Sequence, residues 1–236
     1  MTENTGRSSS SELGFIHQFI PSSATQDKVT FLLLHGTGGN EQDLIPLGRE
    51  LNPRAAMLSP RGKVLESGMP RFFRRLAEGV FDIEDLKFRT HELADFVEKS
   101  SKVYGFDLRY VVTIGYSNGA NIASSLLLLR QEVMSSAILF RAMVPFSPQR
   151  VPNLIGKNIF ISAGEYDPIV PREQTEMLFR IFKNAQASIL LHWQKNSGHE
   201  LVRDELSVAK GWLANIPAFI AINRTTTLVC LSATER

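Results

Sequence analysis

The chain has 236 residues, of which 43% are hydrophobic and 21% charged, with a formal net charge of +2 at pH 7. That length accommodates one large α/β domain with a two-sided core, and the near-neutral balance gives no reason to expect a nucleic-acid or membrane-surface partner. The single cysteine, Cys230, excludes an intrachain disulfide and fits a reducing compartment.

Met1 to Glu12 is polar and serine-rich without the apolar core of a signal peptide, so residues 1–12 are expected to be disordered and the protein cytoplasmic. No apolar run approaches the length of a bilayer span. Phe15 to Ile20 reads as a strand closed by Pro21, in an edge hairpin. Lys28 to Leu34 is a continuous apolar run that reads as a central parallel strand, feeding the glycine-rich loop His35-Gly-Thr-Gly-Gly-Asn40. Glu41 to Leu51 has helical spacing, with Pro46 in its first turns. Arg54 to Ser59 is the next strand, stopped by Pro60-Arg-Gly62. From Lys63 to Asp85 no clean period is present, and an excursion of this length in a short-looped chain points to function.

Lys87 to Lys102 forms an amphipathic helix with Leu93, Phe96, Val97 and Val103 on one stripe. Tyr110 to Ile114 is a buried strand, and Ala120 to Arg130 a proline-free helix. Arg141 to Ser147 and Asn158 to Ser162 read as two short buried strands. Arg172 to Asn184 is a helix with Met177, Leu178, Ile181 and Phe182 inward. Ala187 to Trp193 is the last strand, and Glu200 to Asn215 a closing helix stopped by Pro217. Trp193 and Trp212 read as core residues. The alternation implies an α/β fold with a mostly parallel central sheet and helices on both faces. Residues 13–217 form one domain. The tail 218–236 has three open readings: an added strand, a packed arm, or a segment ordered only in an oligomer.

Between strand and helix stands Gly115-Tyr-Ser-Asn-Gly119, a G-x-S-x-G sequence. A strand that becomes a helix within so few residues carries its serine on a tight, strained turn, with a helix N-terminus beneath that favours developing negative charge. A serine hydroxyl needs a base, and the base an acid to orient it. Asp167 follows the Asn158–Ser162 strand, with Glu165 the reserve acid. His199 lies in the Ser-Gly-His turn beyond the last strand. The order Ser117, Asp167, His199 is that of hydrolases built on such an elbow. Of the other histidines, His17 and His91 fall outside any strand C-terminus, His192 lies within a strand, and His35 precedes the serine.

An oxyanion requires two backbone N–H donors. Asn118 supplies one, and Thr37 the other, with Gly38 next in line. The loop after His35 lacks the Gly-Lys-Ser/Thr ending of a phosphate loop and any dinucleotide fingerprint. In Arg71-Phe-Phe-Arg-Arg75, Phe72 and Phe73 are candidates to line the substrate pocket with an arginine meeting an anionic group. The bland alternative is a solvated loop with one phenylalanine in the core. Tyr116 flanks the nucleophile and is a further substrate-binding candidate. No Cys/His/Asp cluster has metal-ligand spacing, so a zinc hydrolase is not expected.

Leu33-Leu-His-Gly-Thr-Gly-Gly-Asn40, Ser59-Pro-Arg-Gly62, Gly115 to Asn121, Gly164-Glu-Tyr-Asp-Pro-Ile-Val-Pro171 and Ser197-Gly-His199 together resemble the carboxylesterase/phospholipase branch of the α/β-hydrolase superfamily. This branch includes acyl-protein thioesterases and bacterial hydroquinone-linked hydrolases. The resemblance spans roughly residues 30 to 215 and carries Ser117, Asp167 and His199 over as its triad. Asn118 stands where acyl-protein thioesterases usually have glutamine, and the 71–75 and 79–82 segments resemble the hydroquinone-linked group. The resemblance implies a small-molecule ester substrate, no cofactor and a homodimer. The expected activity is that of a carboxylesterase working through an acyl-serine. The alternatives are a lysophospholipase or acyl thioesterase with the same triad, and a non-catalytic ligand-binding protein on a hydrolase fold.

Overall fold

Runs that are apolar at every position cannot leave either face of a sheet in water, and here successive side chains feed two separate cores. Leu32 and Leu34 point into one, with Phe31 and Leu33 in the other; Leu139 and Phe140, then Ile161 and Phe160, divide the same way. The computed structural model describes residues 13–24 and 27–216. In chain order the elements are β1 (His17–Ile20), β2 (Thr30–Leu34), α1 (Ile45–Leu51), β3 (Ala56–Pro60), β4 (Val64–Glu66), β5 (Met69–Arg71), β6 (Arg75–Ala77), β7 (Val80–Phe81) and α2 (Ile83–Tyr104). There follow β8 (Val111–Tyr116), α3 (Asn118–Leu129), β9 (Ser136–Phe140), β10 (Asn158–Gly164), α4 (Arg172–Asn184), β11 (Ser188–Gln194) and α5 (Arg203–Asn215).

Seven strands form one sheet in the order β1-β3-β2-β8-β9-β10-β11, parallel throughout except for β1. Leu86 and Leu93 of α2, Leu126 and Leu127 of α3, and Leu178 and Phe182 of α4 cover one face. Leu47 and Leu51 of α1 and Ala209 and Leu213 of α5 cover the other. The result is the mostly parallel sheet covered by helices on both faces that the alternation of elements implies. No helix among the described residues is long and apolar enough to cross a membrane.

Several local readings are corrected. The first strand is at the edge but forms no hairpin with its successor: it pairs antiparallel with β3, His17 facing Pro60 and Ile20 facing Met57. The strand expected at Arg141–Ser147 lies just before it, at Ser136–Phe140, because Arg141 turns into the left-handed region (φ 58°) and Pro145 lacks a ladder donor. The 63–85 excursion contains two small antiparallel pairs, β4–β5 and β6–β7. Val103 and Met177 are exposed, at 53% and 45%: Met177 sits about a quarter-turn from the buried stripe of α4, and Val103 lies at the margin of the α2 stripe in that helix's last turn. Trp193 is half-buried under the Arg172 guanidinium, 4.2 Å from its ring centre, and Trp212 is half-buried against Phe160. The disorder expected in 1–12, the helix stop at Pro217 and the tail 218–236 lie outside the described residues.

Candidate active site

The strands of a parallel sheet end at one edge, and three of those ends supply the site. After β8 the chain reverses into α3 through Ser117, whose φ of 52° and ψ of −114° fall in a region that L-residues occupy only under constraint. Backbone contact is what forces glycine on either side. A Cβ at Gly115 would lie 2.6 Å from the Gly119 carbonyl oxygen, and one at Gly119 would overlap the Leu34 carbonyl. The Ser117 N–H is fixed by the Phe140 carbonyl at 2.9 Å.

His199 Nε2 lies 2.9 Å from Ser117 Oγ, and His199 Nδ1 lies 2.8 Å from Asp167 Oδ2. Asp167 Oδ1 accepts the N–H groups of Ile169 (2.8 Å) and Val170 (3.0 Å), so the loop after β10 fixes the carboxylate while its second oxygen meets the imidazole. Burial by itself would raise the Asp167 carboxyl, but the hydrogen bonds from His199, Val170 and Ile169 outweigh it and hold the group below its ordinary range. An acid that stays ionised selects the His199 tautomer with hydrogen on Nδ1, leaving Nε2 as an acceptor for the serine proton.

The remaining candidates fall elsewhere. Glu165, the reserve acid, accepts the Asn196 N–H at 3.3 Å. His17 contacts the Tyr104 hydroxyl, His91 is exposed on α2, and His192 stacks near Phe160 in the edge strand β11. His35 is buried beneath the glycine-rich loop. Its Nε2 accepts the Gly62 N–H at 2.9 Å, so Nδ1 carries the hydrogen and donates to the Gly36 carbonyl. Burial pushes its pKa down, against the pull of that carbonyl, which keeps it neutral.

A cavity of about 220 Å³ opens over Ser117 and His199 and is also lined by Thr37, Asn118, Tyr116 and Arg71. Among the described residues the backbone N–H groups of Thr37 and Asn118 donate to no protein atom. The Gly38 N–H, the second candidate on that loop, is by contrast committed to the Pro70 carbonyl at 2.9 Å. The Asn118 side chain faces away to accept the Phe72 N–H at 2.8 Å. Tyr116 lies in the cavity wall and donates its hydroxyl to the His199 carbonyl at 3.0 Å; burial pushes its phenol up, so it stays a donor.

Phe72 and Phe73, expected to line the substrate pocket, are 2% and 0% exposed and belong to the core. Phe72 packs on His35 and Phe73 on Phe81. Two large aromatic side chains gain most by leaving water altogether. The arginines at either end, Arg71 and Arg75, line the cavity in their place. Sequence reasoning also passed over Arg141. It is wholly buried, and its guanidinium meets Glu205, Ser162, and the Ser197, Gly198 and Glu200 atoms of the turn that carries His199. A lone arginine inside an apolar run was the available signal, since a buried cation requires partners. No group of His, Cys, Asp and Glu among the described residues has the arrangement of a metal site.

Residues 16–216 match the model of a family described as phospholipase/carboxylesterase. Over 188 residues the chain is 48% identical to MhqD of Bacillus subtilis (strain 168), a hydrolase by name, covering 80% of this chain and 93% of that protein. The crystal structure of a Bacillus cereus carboxylesterase is 49% identical and superposes with a TM-score of 0.80, over 83% of this chain and 91% of the other. A structure of YahD with malic acid is 30% identical, with a TM-score of 0.79, over 84% and 98% of the two chains.

Proposed function

The chain belongs to the phospholipase/carboxylesterase family of hydrolases, and from that premise we propose that it is a serine carboxylesterase with Ser117, His199 and Asp167 as its catalytic residues. The observation that carries this reading is the unbroken hydrogen-bonded relay from Ser117 Oγ through the His199 ring to Asp167, at 2.9 and 2.8 Å, beside two uncommitted backbone N–H groups.

Ser117 Oγ attacks the ester carbonyl as His199 Nε2 takes its proton, and Asp167 stabilises the imidazolium. The oxyanion of the tetrahedral adduct accepts from the N–H groups of Thr37 and Asn118, at the N-terminus of α3. Collapse breaks the bond to the alcohol oxygen, which leaves with the proton from His199, and the acyl group remains on Ser117. Water, deprotonated by His199, then attacks the acyl-serine. Its collapse frees the carboxylic acid and returns the proton to Ser117 Oγ.

The cavity volume of about 220 Å³ lies below the usual range for drug-sized ligands and favours a short acyl group over the long chain of a lysophospholipid. Malic acid, present in the YahD structure, is of that size. The reading includes a homodimer and a cytoplasmic location; light scattering of the purified protein tests the dimer.

The deciding experiment is labelling with a fluorophosphonate probe and peptide mapping, alongside p-nitrophenyl esters of graded chain length. A single adduct on Ser117, turnover that falls with acyl length, and a loss of at least about 10⁴-fold in Ser117→Ala are expected. Folded protein with neither adduct nor turnover would return the chain to the ligand-binding alternative.

A further inference from the structure

The excursion between β3 and α2 brings two arginines to the wall of the cavity that holds Ser117 and His199. Arg71 is 3% exposed. Its Nη1 donates to Thr37 Oγ1 at 2.7 Å, and its Nε donates to the Phe73 carbonyl and lies 3.2 Å from the Glu66 carboxylate. Among the described residues, Arg71 Nη2 has no partner. Arg75 spends Nε and Nη2 on the same Glu66 carboxylate, at 2.9 and 2.7 Å, and its Nη1 is likewise unpartnered there.

One carboxylate therefore serves two guanidiniums, leaving a net positive charge and two uncommitted donor nitrogens. The third arginine of the wall, Arg141, has every nitrogen taken by Glu205 and by backbone and serine oxygens. Among the described residues the only carboxylate lining the cavity is that of Glu78, which is exposed to solvent. Burial and then the neighbouring Arg75 charge push Arg71 down from its ordinary value, yet a guanidinium does not shed its proton in a protein. A desolvated cation with donors open to a substrate cavity is completed by an anion, and a planar guanidinium matches a carboxylate best.

We propose that this cavity takes short carboxylic esters bearing a second, free carboxylate, which Arg71 and Arg75 hold while Ser117 attacks the ester carbonyl. The proposal rests on the serine-esterase reading and names the substrate class for that site. A neutral ester of the same shape would leave Nη2 of the buried guanidinium without a partner, and a site built for a polar group discriminates strongly against analogues that lack it. Because Arg71 also holds Thr37, the group that recognises the carboxylate steadies the loop carrying one oxyanion donor.

The test compares monomethyl succinate with methyl butyrate, whose acyl chain ends in a methyl where succinate carries its carboxylate. Substrates are assayed on the full chain, on Arg71→Gln and on Arg75→Gln, with fluorophosphonate labelling in parallel. The unaltered protein is expected to show a kcat/KM about tenfold or more higher for monomethyl succinate, a preference that falls towards parity in Arg71→Gln. Succinate should inhibit methyl butyrate hydrolysis at lower concentration than butyrate does. A ratio of one or less in the unaltered protein, with Ser117 labelled and methyl butyrate turned over, overturns the proposal and leaves the esterase reading standing. So does a preference unchanged in both variants. Absence of labelling and of turnover on either ester removes the esterase reading and this proposal with it. If Arg71→Gln fails to fold by circular dichroism, Arg75→Gln and the two inhibition constants carry the decision.

Discussion

At the scale of single residues, chemistry depends on which atoms a side chain is left with after folding. Ser117, Asp167 and His199 were legible as candidates because each stands in a local context that limits what it can do: an elbow between glycines, a loop after a strand, a turn after the last strand. His35 shows the opposite case. Nothing in its sequence neighbours reveals that Nε2 accepts the Gly62 N–H, a bond that protonation would destroy. Its folded pKa lies below the ordinary 6.5, so the unfolded chain binds the proton first. The stability it contributes is complete above pH 6.5 and is lost as pH falls from there toward the folded value, by at most about 1.4 kcal/mol per pH unit. The upper end of that window, at 6.5, lies above the ordinary carboxylate range. Urea unfolding at pH 7 and pH 5 should therefore show a drop in the native protein that is absent in His35→Asn; equal drops in both would rule out His35 as the source.

Elements are read from periodicity, and where periodicity is strong the reading is close to the structure. α4 spans the residues its spacing indicated, and β2 and β10 begin within a residue or two of expectation. The 63–85 excursion was opaque because strands of two or three residues carry no period, and its pairing with itself is a tertiary outcome. The turn carrying His199 belongs to the same class: it has no regular structure, and what holds it is Arg141 from the end of β9. Glu205 at the start of α5 accepts Arg141 through both oxygens and is itself fully buried. Removing one member of such a pair leaves an uncompensated charge, so Arg141→Met is expected to lose about 3–5 kcal/mol of stability. In Arg141→Met/Glu205→Leu much of that stability should return, whereas ester turnover should stay low because the turn has still lost its anchor. Denaturation midpoints and kcat for the two variants check this; a double variant no more stable than the single one would show that the buried Glu205 charge is not the cost.

At the scale of the whole molecule, both faces of the seven-stranded sheet are covered by helices within residues 13–216, and the family match ends at residue 216. Residues 13–217 expressed alone are therefore expected to unfold cooperatively and to hydrolyse the same esters as the full chain. Loss of either property on truncation would give residues 218–236 a part in the domain or its assembly. The sequence by itself determined the α/β class, most of the central strands, the elbow and the candidate triad of Ser117, Asp167 and His199, because each rests on local backbone chemistry or on a repeat that neighbouring residues share. Only the tertiary structure decided that Phe72 and Phe73 enter the core while Arg71 and Arg75 face the substrate cavity, that Gly38 is spent on Pro70, and that Arg141 anchors the turn of His199. Those outcomes follow from which groups meet across long stretches of chain, where burial and hydrogen-bond satisfaction, rather than sequence spacing, select the partner.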